Sequence, residues 1–500
     1  ATGRQLTISA NVVDNGTGPV RLVLSNSDAP RTNFFANNTT TLSGTGNTYT
    51  GGLVLNQGNV VLANVAGFVV PAGPTQQALI NPTLTNSGNQ GDSTVTVANA
   101  SAFRVGQLVS GVGIPGGTTI TAIDASTDPL NQVLTLSNAL TTPIQGFNLT
   151  ANSTVTLNLA NLTTAEGKIN PANRVILNAE STFTLAGNNT LAGLTINNNG
   201  GNVSQLAAAP VGPTVNVGTG TLTLTDTLVA TSQNPAAIAN ITGTGTLDLG
   251  GSTTAAINVA PIALAADGQN FAPWQPTLNI SSLLANFSPT TLTPMPIAVT
   301  GGGVLSLGGQ SVFTSDFTVN GGSGLLLNAS TNVFSVGTTP AAGPVGAGRL
   351  ILGNGSLLLS GNSANAISNA VRIQGDFTFG GFNNVALNGL VTLAPDVAHA
   401  INVVVPTVSL TLGGVVSGSS DLVKTGLGNL VLGNGANDYT GRTIVQGGIL
   451  NVSTLRDGGL NSSIGASSSS AANLVLDGGA LNYVGVAAST NRLLTLGAAG

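Results

Sequence analysis

The single histidine of the chain, His399, is the first candidate for acid–base chemistry. An imidazole can transfer protons near neutral pH, provided that a nucleophile or a carboxylate lies close to it. Asp396 is the sequence neighbour that could supply a carboxylate, within PDVAHAINVVV. Because His399 stands between a turn and an apolar strand pattern, we interpret it as a structural residue and predict no catalytic role for it.

Clustered carboxylates would indicate a polysaccharide-degrading enzyme, which needs paired acids or a base beside calcium-binding acids. The DASTD string at 124–128 lacks the third acid, the central Gly and the terminal Glu of an EF-hand loop. We therefore predict no catalytic, metal-binding or cofactor-binding residue, and keep a polysaccharide-degrading enzyme as a second alternative. The closest sets of charged residues are Asp124 with Asp128, Asp421 with Lys424, Asp438 with Arg442, and Arg456 with Asp457.

The composition excludes several other classes of site. There is no cysteine, which removes disulfides, thiolate zinc sites and cysteine nucleophiles. The net charge of −5 comes from 12 basic and 17 acidic residues scattered singly, so no basic stripe is available to bind nucleic acid. No phosphate-binding loop of the G-x-x-x-x-G-K-[ST] type occurs, so a nucleotide site has no support.

The elements that must position any site are strands. Charged residues make up 6% of the chain, whereas an ordinary soluble domain carries roughly 25%. The mean hydropathy of +0.34 argues against generic disorder. No apolar run approaches the roughly 20 residues that a transmembrane helix needs, and the scarcity of Glu and Lys argues against a coiled coil.

Short apolar alternations closed by Gly- and Asn-rich turns recur along the whole chain. Each alternation places two or three large side chains on one face, which is typical of a half-buried strand. Sandwiches and propellers also contain short strands, but the uniform style over this length favours a solenoid of about 20 to 25 residues per coil. Stacked coils would also let Asn and Thr form side-chain ladders. The clearest alternations are Leu134–Leu136, Val155–Leu159, Leu222–Leu224, Leu247–Leu249, Leu305–Leu307, Leu410–Leu412 and Leu474–Leu476.

One segment occurs twice. Aligning Tyr439 with Tyr49 brings Asn437 over Asn47 and also matches Thr440 with Thr50, Gly441 with Gly51 and Gly448 with Gly58. The second copy resembles the autotransporter-associated β-strand repeat, whose form is K-x-G-x-G-x-L-x-L, a turn, N-x-Y-T-G-x-T and V-x-x-G-x-L. The first copy lacks the K-x-G-x-G half. The residues that carry the resemblance are Lys424, Gly426, Gly428, Leu430, Leu432, Asn437, Tyr439, Thr440, Gly441, Thr443, Val445, Gly448 and Leu450.

The resemblance implies an all-β fold, a parallel right-handed β-helix, in a very large bacterial protein that is secreted or attached to the surface. It implies a stalk or passenger rather than a catalytic centre, at an extracellular or outer cell-surface location. The segment at 93–137 looks like a small β module of bacterial surface and phage-tail proteins. We therefore predict solenoid coils at 1–84, an inserted β module at 85–150, and solenoid again at 151–500.

The segment at 260–297 contains six prolines together with Trp274 and Met295, the sole Trp and Met of the chain. Proline cannot donate to a central ladder, so we predict an excursion from the solenoid or a cap over its side. Tyr439 and Tyr49 are each expected to pack over an adjacent turn. The six prolines are Pro261, Pro273, Pro276, Pro289, Pro294 and Pro296.

The predicted function is a non-enzymatic, structural β-solenoid that serves as a rod or fibre subunit. The ends, ATGRQLTISA and LLTLGAAG, look like those of a mature or internal piece, so the expected partners are the remainder of a longer chain or further copies of this one. The first alternative is an adhesin that binds host or glycan surfaces through 93–137 or the Pro-rich segment. No nucleic acid and no transmembrane helix are expected in this chain.

Overall fold

A computed structural model describes about three quarters of the chain, and the chain divides into two compact units, Ala1–Val229 and Ala230–Gly500. The boundary falls within the strand Leu228–Ser232. The described residues are 5–13, 20–25, 39–43, 45, 47, 49, 52–62, 76–79, 90–97, 109–110, 114–115, 118, 120–124, 132–141, 148–151, 154–199, 212–250, 255–263, 272–287, 295–333 and 340–498.

The described residues form short strands, with a single turn of 3-10 helix at Ala471–Asn473. Within a strand, buried and half-buried residues alternate, as in Thr182–Leu185, where Phe183 and Leu185 point into the core. This is the period-two burial expected of a strand with one face on the core. The predicted all-β fold is confirmed. Every apolar alternation singled out in the sequence falls on a strand, except that Leu249, the last residue of Leu247–Leu249, lies just beyond the end of its strand.

In the first unit, most strands pair in parallel with a strand one coil away. Gln5–Ile8 pairs with Thr39–Leu42, and Leu53–Leu62 pairs with Thr154–Thr164 over nearly its whole length. The strands are Gln5–Ile8, Leu22–Ser25, Thr39–Leu42, Leu53–Leu62, Gln76–Leu79, Thr94–Val97, Val109–Ser110, Ile120–Asp124, Gln132–Leu136, Asn148–Ala151, Thr154–Thr164, Arg174–Asn178, Thr182–Leu185, Asn189–Leu191, Gly193–Asn198, Thr214–Asn216 and Thr221–Leu224.

Two small antiparallel sheets are formed by residues that fall, along the sequence, between the paired strands Leu53–Leu62 and Thr154–Thr164. In one, Gln132–Leu136 pairs with Thr94–Val97 and Ile120–Asp124. In the other, Asn148–Ala151 pairs with Gln76–Leu79 and Val109–Ser110. Their antiparallel pairing distinguishes them from the coils on either side. The division at residues 84 and 150 stays a prediction.

In the second unit, successive coils pair through parallel ladders of strands, and a three-stranded coil contributes one strand to each of three ladders. A representative coil comprises Val391–Leu393, His399–Val403 and Ser409–Leu412, which pair with Val416–Ser417, Leu422–Thr425 and Asn429–Leu432 of the next coil. Apolar residues stack in register along the sheets, as at Leu410, Leu430 and Leu450. This stacking is the predicted parallel β-helix.

Two strands of this unit, Leu278–Ile280 and Leu283–Ala285, lie inside the Pro-rich segment and pair in parallel with neighbouring coils. The excursion predicted for 260–297 is therefore interrupted by two strands of the solenoid, and 264–271 and 288–294 lie outside the described residues. The remaining strands of the unit comprise Ala239–Thr242, Thr246–Asp248, Ala255–Ile262, Ile297–Thr300, Val304–Leu307, Phe317–Val319, Gly324–Leu327, Asn332–Val333, Pro340–Ala342, Leu350–Leu352, Ser356–Ser360, Asn365–Ile367, Val371–Ile373, Phe377–Gly380, Val385–Leu387, Thr443–Val445, Ile449–Val452, Leu474–Leu476, Ala480–Tyr483 and Thr495–Leu496.

Side-chain amides form ladders along the stacked strands. Asn158 donates to Asn56 at 2.8 Å, Asn178 donates to Asn158 at 2.8 Å, and Asn197 donates to Asn178 at 2.8 Å. Each amide can donate and accept at once, so one rung can continue into the next. The predicted Asn ladders are thus present in the first unit.

Candidate functional site

Asn437 of the repeated segment binds backbone groups of two other coils. Its Oδ1 accepts from the Val416 N–H at 2.9 Å, and its Nδ2 donates to the Ser463 carbonyl at 2.9 Å. The backbone N–H groups of Asp438 and Tyr439 donate to the Val416 carbonyl. The N-x-Y-T-G segment therefore stacks on the end of one sheet through a side chain as well as through its backbone.

The first copy of the repeat makes two of the same contacts in the first unit. Asn47 accepts from the Val12 N–H at 2.8 Å, and the Tyr49 N–H donates to the Val12 carbonyl at 3.3 Å. Thr50 and Gly51 lie outside the described residues. The internal repeat found in the sequence thus corresponds to one geometry that the chain builds twice.

Tyr439 is fully buried and packs as predicted over an adjacent turn. Its ring lies beneath Gly465, whose φ of +75° is the left-handed conformation that favours glycine, and a Cβ there would approach the ring carbons at 3.0 Å. The Tyr439 hydroxyl lies 2.7 Å from Thr443 Oγ1. Burial raises the pKa of Tyr439 above its ordinary value, and burial does the same to the pKa of Tyr49. These phenols are core residues.

Lys424 is a buried cation, with 1% of its surface exposed. Its ammonium donates to the carbonyls of Thr425 at 2.6 Å, Gly426 at 2.9 Å and Gly447 at 3.0 Å. Burial lowers the pKa of Lys424 to about 8. The lysine ammonium therefore forms hydrogen bonds with carbonyl groups of two neighbouring coils.

The charged pairs suggested by the sequence are arranged differently in space. Asp421 binds Arg442, with Nε to Oδ2 at 2.9 Å and Nη2 to Oδ2 at 2.7 Å, rather than Lys424. The Asp457 carboxylate accepts from the backbone N–H of Asn491. Asp124 is exposed at the end of its strand, and Asp128 lies outside the described residues. Within the described part of the chain, no group of three or more metal-ligating side chains occurs.

His399 is fully buried in the second unit, at the start of a strand. Its Nε2 lies 2.7 Å from the Ala394 carbonyl, which also accepts from Ser420 Oγ at 2.6 Å. Asp396 lies in a turn with a φ of +75°. The imidazole is bonded to the backbone, which agrees with the structural interpretation.

A groove of about 370 Å³ is the site that sequence reasoning did not find. Trp274 and Phe382 line it, and a polar ladder runs along it. Asn279 donates to Asn240 at 3.1 Å, Ser306 donates to Asn279 at 2.8 Å, and Asn328 donates to Ser306 at 2.6 Å. The signal available in the sequence was Trp274 within the Pro-rich segment. The other residues along the groove are Ile238, Pro276, Leu326, Leu359, Ser360, Gly361, Asn362 and Gly381.

The family model described as Passenger-associated-transport-repeat matches residues 37–62 and 422–452. These are the two copies whose Asn and Tyr contacts are described above. The autotransporter passenger repeat predicted from the sequence is therefore confirmed at both copies, and the chain around them is built of stacked parallel strands. The extracellular or cell-surface location predicted for it is confirmed by the same comparisons.

Among curated proteins, the chain is similar to the adhesin BmaC autotransporter of Brucella suis biovar 1 (strain 1330). The two are 35% identical over 270 residues, which is 51% of this chain and 8% of the relative. The chain therefore spans less than a tenth of the length of the curated relative that it matches. No solved structure matches the chain significantly. Across the described residues, no helix is long and apolar enough to cross a membrane.

Proposed function

We propose that this chain is a mechanical segment of a passenger, a stalk that presents other surfaces outside the cell, and that it is not an enzyme. The observation that carries the proposal is the in-register stacking of coils, in which Leu410, Leu430 and Leu450 form consecutive rungs. Similarity to an autotransporter adhesin points to a structural or adhesive role rather than a catalytic one.

A stack of this kind resists extension and proteolysis for two reasons. Every coil is joined to the next by backbone hydrogen bonds that repeat along the axis. The chain also contains only 12 Lys and Arg residues in 500, which leaves few sites for trypsin-like proteases. These properties suit a part that holds its shape outside the cell.

A deletion of one whole coil tests the mechanical role. Removing residues 410–429 brings Leu430 to the position of Leu410, which it already matches in register. We expect the shortened protein, displayed on bacteria within its full-length parent, to keep its protease-resistant core and its surface display. The control removes 410–430, which shifts the strand by one residue and turns its apolar face outward.

Two outcomes would contradict the proposal. Equal protease sensitivity of the two deletions would show that the coil register does not hold the segment together. Release of reducing ends or unsaturated products from a polysaccharide panel by the purified chain would show an enzyme instead.

Adhesion is a second candidate function, favoured by the similarity to an adhesin autotransporter and by the groove beside Trp274. Deletion of 93–137 or of 264–271 would test it through attachment of bacteria to host cells. Lost attachment with an intact solenoid supports adhesion, whereas unchanged attachment supports a scaffold.

Self-association, proposed from the low charge of the chain, would be tested by light scattering of the purified protein at high concentration.

A further inference from the structure

The groove beside Trp274 combines an aromatic platform with a row of neutral hydrogen-bonding groups. Trp274 is half-buried, and the Phe382 side chain is 84% exposed. Gly380 lies under the indole, since a Cβ there would lie 3.3 Å from Trp274 Cε2 and Cζ2. The missing side chain leaves room for the indole to lie against the strand surface. The indole of Trp274 is therefore held against the strand surface, and Phe382 extends into solvent beside the groove.

The polar side of the groove is a ladder with hydrogen-bonding capacity left over. A side-chain amide offers two N–H donors and two oxygen lone pairs. Asn279 uses one donor toward Asn240 and one lone pair toward Ser306. Asn328, at the exposed end of the ladder, uses one donor toward Ser306. Further donors and acceptors therefore line the groove at the strand spacing, which is about 4.8 Å.

The charge of the groove restricts what it could bind. Every lining residue is described, and none of them is acidic or basic. A charged ligand would lose its hydration without gaining a counter-charge. The backbone beneath the ladder is paired within the parallel sheet, so it offers no free strand edge on which a peptide could add. These features disfavour anionic glycans and extended peptides.

We propose that this groove binds a neutral oligosaccharide. A pyranose ring has an apolar C–H face and a rim of hydroxyl groups, and the groove offers an aromatic face next to amide donors and acceptors. The ring face would lie on Trp274 and Phe382, and the hydroxyls would bond to Asn279 and Asn328. The inference goes beyond the mechanical role, and its failure would leave the coil-deletion experiment unaffected.

The fluorescence emission of Trp274 can report ligand binding at the groove, because Trp274 is the sole tryptophan of the chain. Titration of the full chain with cellohexaose and with chitohexaose should change the tryptophan emission in a saturable way. Phe382→Ala and Asn328→Ala should each weaken that binding about tenfold, which corresponds to about 1.4 kcal/mol. Phe287→Ala, which truncates another exposed phenylalanine outside the groove, should leave it unchanged. Circular dichroism of each variant would verify that the fold is retained.

Three results would overturn the proposal. One is the absence of a saturable response to both neutral oligosaccharides. Another is equal weakening by Phe287→Ala and Phe382→Ala, which would place binding elsewhere. The third is preferential binding of hexagalacturonate or of a proline-rich peptide, which would assign the groove to an anionic glycan or to a protein.

Discussion

The ammonium of Lys424 lies 3.0 Å from the carbonyl oxygen of Gly447, one coil further along the solenoid. The same ammonium binds the carbonyls of Thr425 and Gly426 at its own turn. The lysine and the first glycine of the K-x-G-x-G half of the repeat, Gly426, are therefore parts of one contact. The lysine fills a buried position and gives three backbone carbonyls a charged donor.

Replacement of this lysine by an apolar residue of similar length should destabilise the second unit. Lys424→Met removes the ammonium donor of three half-buried carbonyls, and we expect a loss of about 1–3 kcal/mol in the free energy of unfolding. Hydrogen exchange of the amides in 422–452 would locate the loss. Arg442→Met is the matched control, since it removes a cation from an exposed pair with Asp421 that contributes about 1 kcal/mol or less. Equal effects of the two variants would contradict the prediction.

The stability of the second unit should rise between pH 8 and 10. The pKa of Lys424 is lowered from 10.5 to about 8 by burial, so the unfolded chain binds more protons than the folded chain between these values. Stability increases with pH wherever the unfolded state binds more protons. Denaturant unfolding at several pH values would measure this rise, and Lys424→Met should abolish it.

Above pH 10 the direction should reverse. Burial raises the pKa of Tyr439, so the unfolded chain loses the phenol proton at a lower pH than the folded chain does. The unfolded state then binds fewer protons, and stability falls as the pH rises further. Tyr439→Phe should shift the onset of alkaline unfolding of the second unit to higher pH. An unchanged onset would show that this phenol does not control alkaline unfolding.

Substitution of Asn437 should lower the stability of the second unit more than substitution at most other positions of the repeat. Asn437→Ala removes the acceptor of the Val416 N–H and the donor to the Ser463 carbonyl, both buried. We expect a loss of about 2 kcal/mol, since two buried backbone groups lose their partners. Asn461→Ala, which removes an exposed 3.4 Å contact to the Ala436 carbonyl, should cost about 0.5 kcal/mol or less. Thermal unfolding of both variants would rank them.

Alanine substitution at Gly441 tests whether the glycine is required because there is no space for a Cβ, rather than because the backbone needs a positive φ. Gly441 does not adopt a positive φ, but a Cβ there would fall inside contact distance of the Ser420 carbonyl. Gly441→Ala should therefore destabilise the coil by about 1–3 kcal/mol through displaced backbone. Gly433→Ala is the control, because the nearest atoms to its added Cβ lie at 3.8 Å. Similar unfolding midpoints for both variants would contradict the steric account.

The sequence by itself determined the local structure and the repeat. Period-two alternation placed the strands correctly because burial on one face imposes it directly on neighbouring residues. The equivalence of Tyr49 and Tyr439 was also readable, since both copies use the same residues at the same short spacing. The family comparison then agreed with those spacings.

Only the tertiary structure decided which distant residues meet. The rungs of the groove ladder are separated by 39, 27 and 22 residues along the chain, from Asn240 through Asn279 and Ser306 to Asn328. Because coil lengths vary, no fixed period in the sequence predicts those contacts. The partner of Asp421 was likewise decided by stacking, which places Arg442 of the next coil beside it and turns Lys424 toward the core. A side chain's neighbours in a solenoid are set by the loop lengths between coils, whereas its inward or outward direction is set by its own strand.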